Sequence, residues 1–187
     1  MSMSDTGCEE ERRLFLKSGA IIATAAALWL PTPAEAKRIL TGREVSFRNL
    51  HTGEEFKGEY FYNGRYQKDA FKEIRKVLRD HRENSSFPID PRLMDIIFVL
   101  QSRLENSRPY EVLSGYRSPK TNKMLRDRSI GVAKRSLHMQ GQAIDLRLPG
   151  TRLKNLRKQA SHLQAGGVGY YSRSQFIHLD TGRVRQW

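Results

Sequence analysis

Ser136-Leu-His-Met-Gln-Gly-Gln-Ala-Ile-Asp-Leu-Arg-Leu148 (SLHMQGQAIDLRL) sets a histidine, His138, seven residues ahead of an aspartate, Asp145, with Gly141 between them. Side chains alternate across a strand. In Ala143–Leu148, Ile144, Leu146 and Leu148 therefore share one apolar face, and Asp145 lies on the other with Ala143 and Arg147. A buried strand can be built without either His138 or Asp145. Two ligand-type side chains at this spacing point to chemistry, and a metal is the first candidate. Gly141 gives the loop between them the freedom to turn tightly.

A second stretch has the same character. In Phe176-Ile-His-Leu-Asp180, Ile177 and Leu179 form the core face, and His178 and Asp180 lie together on the opposite one. If the two strands are neighbours, Asp145 and His178 converge, and His138 folds back onto the same spot from the preceding loop. Two imidazoles and one carboxylate form a zinc ligand set with an open fourth position, the pattern of hydrolytic zinc sites. Such an ion lowers the pKa of bound water and polarises a carbonyl. The competing reading makes His138 a hydrogen-bonding loop residue and His178 a strand residue with an ordinary partner.

Outward from these strands the sequence predicts an α+β domain. Glu44–Leu50 and Glu54–Tyr62 read as a hairpin turning at His51-Thr52-Gly53, and Asn63-Gly64 marks the next turn. Gln67–Glu83 carries Ala70, Phe71, Ile74, Val77 and Leu78 at helical spacing. Asp90-Pro91 and Ser118-Pro119 each place a capping residue before a proline at the first helical position. The first opens a helix to about Glu105, the second a shorter one. Glu111–Tyr116 is a short strand and Ser129–Leu137 a basic loop. Thr151–Ala165 is a helix stopped by Gly166-Gly167, and Val168–Ser172 is the strand before Phe176–Thr181. Together these give a small, mainly antiparallel sheet flanked by helices.

Residues 1–36 read separately, as a signal peptide ahead of a single domain at 37–187. Arg12-Arg13-Leu14-Phe15-Leu16-Lys17 precedes the uncharged run Gly19–Leu30 and then Ala34-Glu35-Ala36, the order of charged region, apolar region and cleavage site. The twin arginine points to Tat export and hence to the periplasm. The apolar run is shorter than the roughly 20 residues a bilayer requires, so no stable membrane span is expected after cleavage. Cys8, the only cysteine, leaves with this segment, so any metal must be held by His, Asp or Glu. The whole chain carries a net charge of +13, which rises to +15 without residues 1–36. That balance favours a polyanionic partner. Export argues against nucleic acid and for peptidoglycan or an anionic membrane surface. The oligomeric state is not legible, with a monomer favoured.

Ser136-x-His138-x-x-Gly141-x-Ala143-x-Asp145, followed by Phe176-Ile177-His178, resembles the LAS superfamily of zinc peptidases (lysostaphin-type, D-Ala-D-Ala-type and hedgehog domains). Ser114-Gly115-Tyr116-Arg117-Ser118 matches the arginine motif of its D-Ala-D-Ala branch. Asn49–Glu54, Gly131–Lys134, Ala165–Tyr171, His178–Gly182 and Trp187 are similar to murein endopeptidases of that superfamily, so the resemblance covers nearly all of residues 37–187. It implies a periplasmic Zn2+ endopeptidase that cuts peptidoglycan cross-links, both mDAP–mDAP (3-3) and D-Ala–mDAP (4-3), with His138, Asp145 and His178 as zinc ligands. Arg117 would hold a substrate carboxylate or the developing oxyanion, and Ser114 and Tyr116 would contact substrate.

One position departs from the pattern. The D-Ala-D-Ala branch commonly has a carboxylate base three residues before the last histidine, where this chain has Gln175. Asp180, on the same face as His178, could activate water or orient His178. A zinc-containing peptidoglycan-binding module with weak or no activity, or a D,D- or L,D-carboxypeptidase, are the alternatives. Tyr170 and Tyr171 could line the cleft or pack in the core, and His51, His81 and His162 are expected to be a turn residue and two surface residues.

Overall fold

The computed structural model describes residues 42–129 and 131–187; the signal segment expected over residues 1–36 lies outside them. The hairpin forms as the alternation predicts. Strand β1 (Arg43–Asn49) pairs antiparallel with β2 (Glu55–Tyr62), Phe47 opposite Phe56. Asn49 closes the turn, its Oδ1 accepting the N–H groups of His51 and Thr52. After Asn63-Gly64 comes a two-residue strand, β3 (Arg65–Tyr66), too short to show in the pattern.

Helix α1 (Lys68–Val77) buries Ile74 and Val77. The spacing predicted it as far as Glu83, but the backbone beyond Val77 has other partners. The Leu78 carbonyl accepts the Tyr116 N–H at 2.7 Å. The Asp80 carboxylate accepts the N–H groups of Arg82 and Ser118, both at 2.9 Å. An aspartate that captures backbone amides in this way competes with helix. Helix α2 (Pro91–Leu104) begins at its anticipated cap, with Asp90 accepting from the Arg92 N–H at 3.0 Å. Strand β4 (Tyr110–Ser114) follows, then α3 (Pro119–Arg128), capped by Ser118 Oγ on the Thr121 N–H at 3.0 Å.

The decisive stretch divides in two. Leu137–Gln140 forms one 3₁₀ turn, ended by Gly141 at φ +64°, and Ala143–Arg147 is strand β5. A Cβ on Gly141 would stand 2.0 Å from the Pro88 carbonyl oxygen, so both the conformation and the close approach require glycine. Helix α4 (Leu153–His162), β6 (Gly167–Tyr171), β7 (Phe176–Asp180) and a short β8 (Arg185–Gln186) complete the described chain.

All eight strands form one sheet in the order β3-β2-β1-β4-β5-β7-β6-β8. The α+β class holds, but the sheet is mixed rather than the small, mainly antiparallel one expected. Strand β1 runs parallel to β4, and β6 parallel to β8. A parallel pair needs a long crossover, and the excursion through β2, α1 and α2 supplies it between β1 and β4. Alternation tells which face of a strand is buried, not which strand lies beside it.

Val45, Phe47, Leu93, Ile97, Ile144 and Ile177 are buried in one continuous core. Each such side chain taken from water contributes about 1.5–3 kcal/mol. Helices α1, α2 and α4 pack on β2, on β1 and on β6 and β7 respectively. The other face of β5 and β7 is left for polar side chains.

Candidate metal centre

Register builds the site. Ser114 of β4 lies opposite Asp145 of β5, Asp145 opposite His178 of β7, and His178 opposite Gly169 of β6. One row across four strands thus carries the carboxylate and one imidazole side by side. His138 enters from the 3₁₀ turn just before β5. Three atoms meet: His138 Nε2 and His178 Nδ1 are 3.2 Å apart, and Asp145 Oδ1 is 3.2 Å from the first and 2.9 Å from the second.

The remaining nitrogens fix the tautomers. His138 Nδ1 is 2.7 Å from the Gly115 carbonyl oxygen, which only accepts, so Nδ1 carries the proton. His178 Nε2 is 2.9 Å from Asp180 Oδ2 and donates to that carboxylate. Both imidazoles then turn lone pairs toward Asp145 Oδ1. Three buried acceptors facing one another call for a positive charge among them. A tetrahedral divalent ion with bonds of ~2.0–2.2 Å spaces its ligands ~3.3 Å apart, close to the spacing here. The trio fits a metal ion. Histidines whose far nitrogen donates to a carbonyl or carboxylate are typical of metal sites.

The same demand for positive charge shows in the titration of the groups around it. Burial would raise the Asp145 carboxyl, but the His138 and His178 imidazoles hold it well below the usual carboxylate range. Burial would lower His178, but Asp145 on one side and Asp180 on the other raise it. Burial lowers the Arg117 guanidinium from its ordinary value, with Asp145 opposing.

Arg117 stands at the edge of the trio. Its Nη2 donates to Asp145 Oδ2 at 3.4 Å and to Ser114 Oγ at 3.3 Å. Ser114 therefore braces Arg117. Tyr116 stacks on Phe87, with ring centres 5.4 Å apart, and is not among the residues lining the cavity over the trio. Asp180 is 1% exposed and accepts five hydrogen bonds: from the Gly167 and Gly182 N–H groups, from both Nη atoms of Arg185, and from His178. Burial would raise its carboxyl, but His178, Arg185 and the Gly182 amide keep it low. Gln175 lies in the β6–β7 turn at φ +56° and donates to the Ser172 carbonyl. His51 is in its turn and donates to the Leu113 carbonyl at 3.0 Å, stacked on His81, which sits in a turn rather than on a helix.

A cavity of about 520 Å³ opens over the trio. Arg117, His138, Asp145 and His178 lie at its base. Ser129, Gly131–Ala133 and Arg135–Leu137 of the basic loop also line it; Arg135 is exposed and has no ion-pair partner among the described residues. Tyr171, Phe176 and Trp187 make an aromatic wall. The sequence raised Tyr171 as a cleft residue without choosing it, and Arg135 and Arg185 were lost among 33 basic residues. The available clue to Arg185 was its place five residues after Asp180.

A mixed-sheet α+β domain with a buried His-Asp-His trio at the foot of an open cleft has the build of a metallopeptidase. Residues 37–187 match the family model described as Peptidoglycan L,D-endopeptidase MepK, and the chain belongs to that family. It is 44% identical over 185 residues to the Peptidoglycan L,D-endopeptidase MepK of Escherichia coli K12, covering 96% of this chain and 98% of that protein. The Shigella flexneri protein of the same name gives the same figures. The Probable peptidoglycan L,D-endopeptidase MepK of Haemophilus influenzae is 42% identical over 146 residues, 78% of each chain. No solved structure matches.

Proposed function

We propose that this chain is a zinc-dependent peptidoglycan endopeptidase that cuts cross-links between stem peptides. The observation that carries the reading is the convergence of His138 Nε2, His178 Nδ1 and Asp145 Oδ1 at the foot of the cleft. These three residues would hold the zinc ion, which supplies a Lewis acid and lowers the pKa of bound water. A 3-3 cross-link joins the L-centre of one diaminopimelate to the D-centre of the next, the stereochemistry in the relatives' names. We take it as the principal substrate and the 4-3 bond as the second.

The chain's own residues have separate tasks. Arg117 presents a rigid fork of donors at the edge of the trio, suited to the charge that develops on a scissile carbonyl oxygen. Its low exposure, 11% for the side chain, keeps water from weakening that interaction. Asp180 orients His178 and fixes its tautomer. With every lone pair engaged and its carboxyl kept low, it is poorly suited to take a proton, and the Gln175 amide cannot take one. Ser114 holds Arg117, and Tyr116 shapes the backbone before it. The +15 charge of residues 37–187 draws the enzyme to the anionic sacculus, and the free Arg135 meets substrate carboxylates. Residues 1–36 act as a Tat signal that delivers the 37–187 domain to the periplasm.

The test is incubation of zinc-loaded protein with purified 3-3 and 4-3 muropeptide dimers and with monomeric stems, with products separated by mass. Monomers released from dimers, and lost with a chelator, are expected. Trimming of monomeric stems alone would make it a carboxypeptidase. Intact dimers with zinc bound would make it a wall-binding module.

A further inference from the structure

The aromatic wall of the cleft is built around one hydroxyl. Tyr171 and Phe176 are opposite each other on β6 and β7, one step along from the row that holds Gly169, His178 and Asp145. Residues two apart on a strand share a face and are ~6.6 Å apart. Tyr171 therefore stands on the site face, within a side chain's length of the trio. Its ring is stacked on Phe176 at 4.5 Å and 15°.

Trp187 fills the place that Gly169 leaves empty. A Cβ on Gly169 would come within 2.7–2.9 Å of three indole atoms. The indole lies 5.3 Å from the His178 ring, centre to centre. Its backbone is pinned to β6, where the Trp187 N–H donates to Val168 and its carbonyl accepts from Tyr170. The Arg185 guanidinium, locked on Asp180, covers its ring at 4.8 Å. From this fixed position Trp187 Nε1 donates to Tyr171 Oη at 3.0 Å. Indole N–H is only a donor, so that bond uses a lone pair of the phenol and leaves its proton free. No acceptor for that proton exists among the described residues, and Tyr171 lines the cavity beside Arg117.

We propose that Tyr171 is a catalytic residue whose hydroxyl, held by Trp187, donates a hydrogen bond to the scissile carbonyl oxygen as charge develops there. This rests on the endopeptidase reading above. Trp187 is the positioning residue, and the chain Asp180–Arg185–Trp187–Tyr171 ties the hydroxyl to the same carboxylate that orients His178. No bond is made or broken at Tyr171. Its contribution is a donor whose position is fixed before the charge develops.

The test compares wild-type protein with Tyr171→Phe, Trp187→Phe and the double variant. Cleavage of muropeptide dimers, zinc affinity and melting temperature are read for each. Phenylalanine at 171 keeps the stack on Phe176, and at 187 it keeps an aromatic ring. The expected result is a fall in kcat of about 10²-fold for Tyr171→Phe, with KM, zinc affinity and melting little changed. Trp187→Phe should lower kcat in the same direction and add nothing in the Tyr171→Phe background. A Tyr171→Phe enzyme with wild-type kcat overturns the proposal, as does a loss that follows zinc affinity or melting. A wild-type protein that leaves the dimers intact overturns the endopeptidase reading and this inference with it.

Discussion

At the scale of single residues, Asp180 ties the metal-site imidazole to the end of the chain. Its Oδ2 holds the His178 ring, and its Oδ1 gathers the amides of Gly167 and Gly182. Both oxygens bind Arg185, which swings the chain past β7 to pair as β8 and bring Trp187 over the site. Asp180→Asn keeps the shape but removes the charge that fixes the His178 tautomer. Zinc affinity should fall about 10–100-fold, read by competition with a chromophoric chelator; wild-type affinity would count against the orienting role. Alternation along Phe176–Asp180 was enough to place Asp180 beside His178. It could not separate base from orienter, because the other four hydrogen bonds come from Gly167, Gly182 and Arg185, which only the folded chain gathers.

At the scale of elements, the same limit explains where helix α1 ends. Periodicity carried it through Leu78 to Glu83, yet Asp80 takes that backbone and uses it to anchor Ser118, the cap of α3. Arg117 is held between that anchor and the 3₁₀ turn, its own N–H donating to the His138 carbonyl at 3.2 Å. Burial would raise the Asp80 carboxyl, but the Thr121 hydroxyl and the Ser118 and Arg82 amides bring it below the ordinary value. Its folded-state value is thus below its unfolded one. The stabilisation is fully present above ~3.9 and is lost as pH falls through the lower folded value. Asp80→Ala should cost about 1–3 kcal/mol at neutral pH, measured by denaturant unfolding, with the gap to wild type narrowing well below pH ~3.9. A gap independent of pH would contradict this. The caps at Asp90 and Ser118 were legible because their partners are two and three residues away. The parallel pairing of β1 with β4 was not, because it joins Phe47 to Tyr110 across two helices.

At the scale of the whole molecule, residues of a basic loop and the aromatic side chains of Tyr171, Phe176 and Trp187 line the cleft together with the His-Asp-His trio and Arg117. The trio was legible as residue types at telling positions, since each of Asp145 and His178 interrupts an apolar strand on its polar face. The walls were not, because arginines and aromatics are common in this chain and only the fold selects among them. No helix among the described residues is long and apolar enough to cross a membrane.

The central claim is that His138, Asp145 and His178 hold one zinc ion and that this ion makes the chain a cross-link peptidase. The most direct measurement sets His138→Ala beside wild type, reading zinc bound per chain and monomers released from 3-3 muropeptide dimers. The account predicts one zinc per wild-type chain, and the loss of both zinc and cleavage in the variant. A variant that still releases monomers would contradict it.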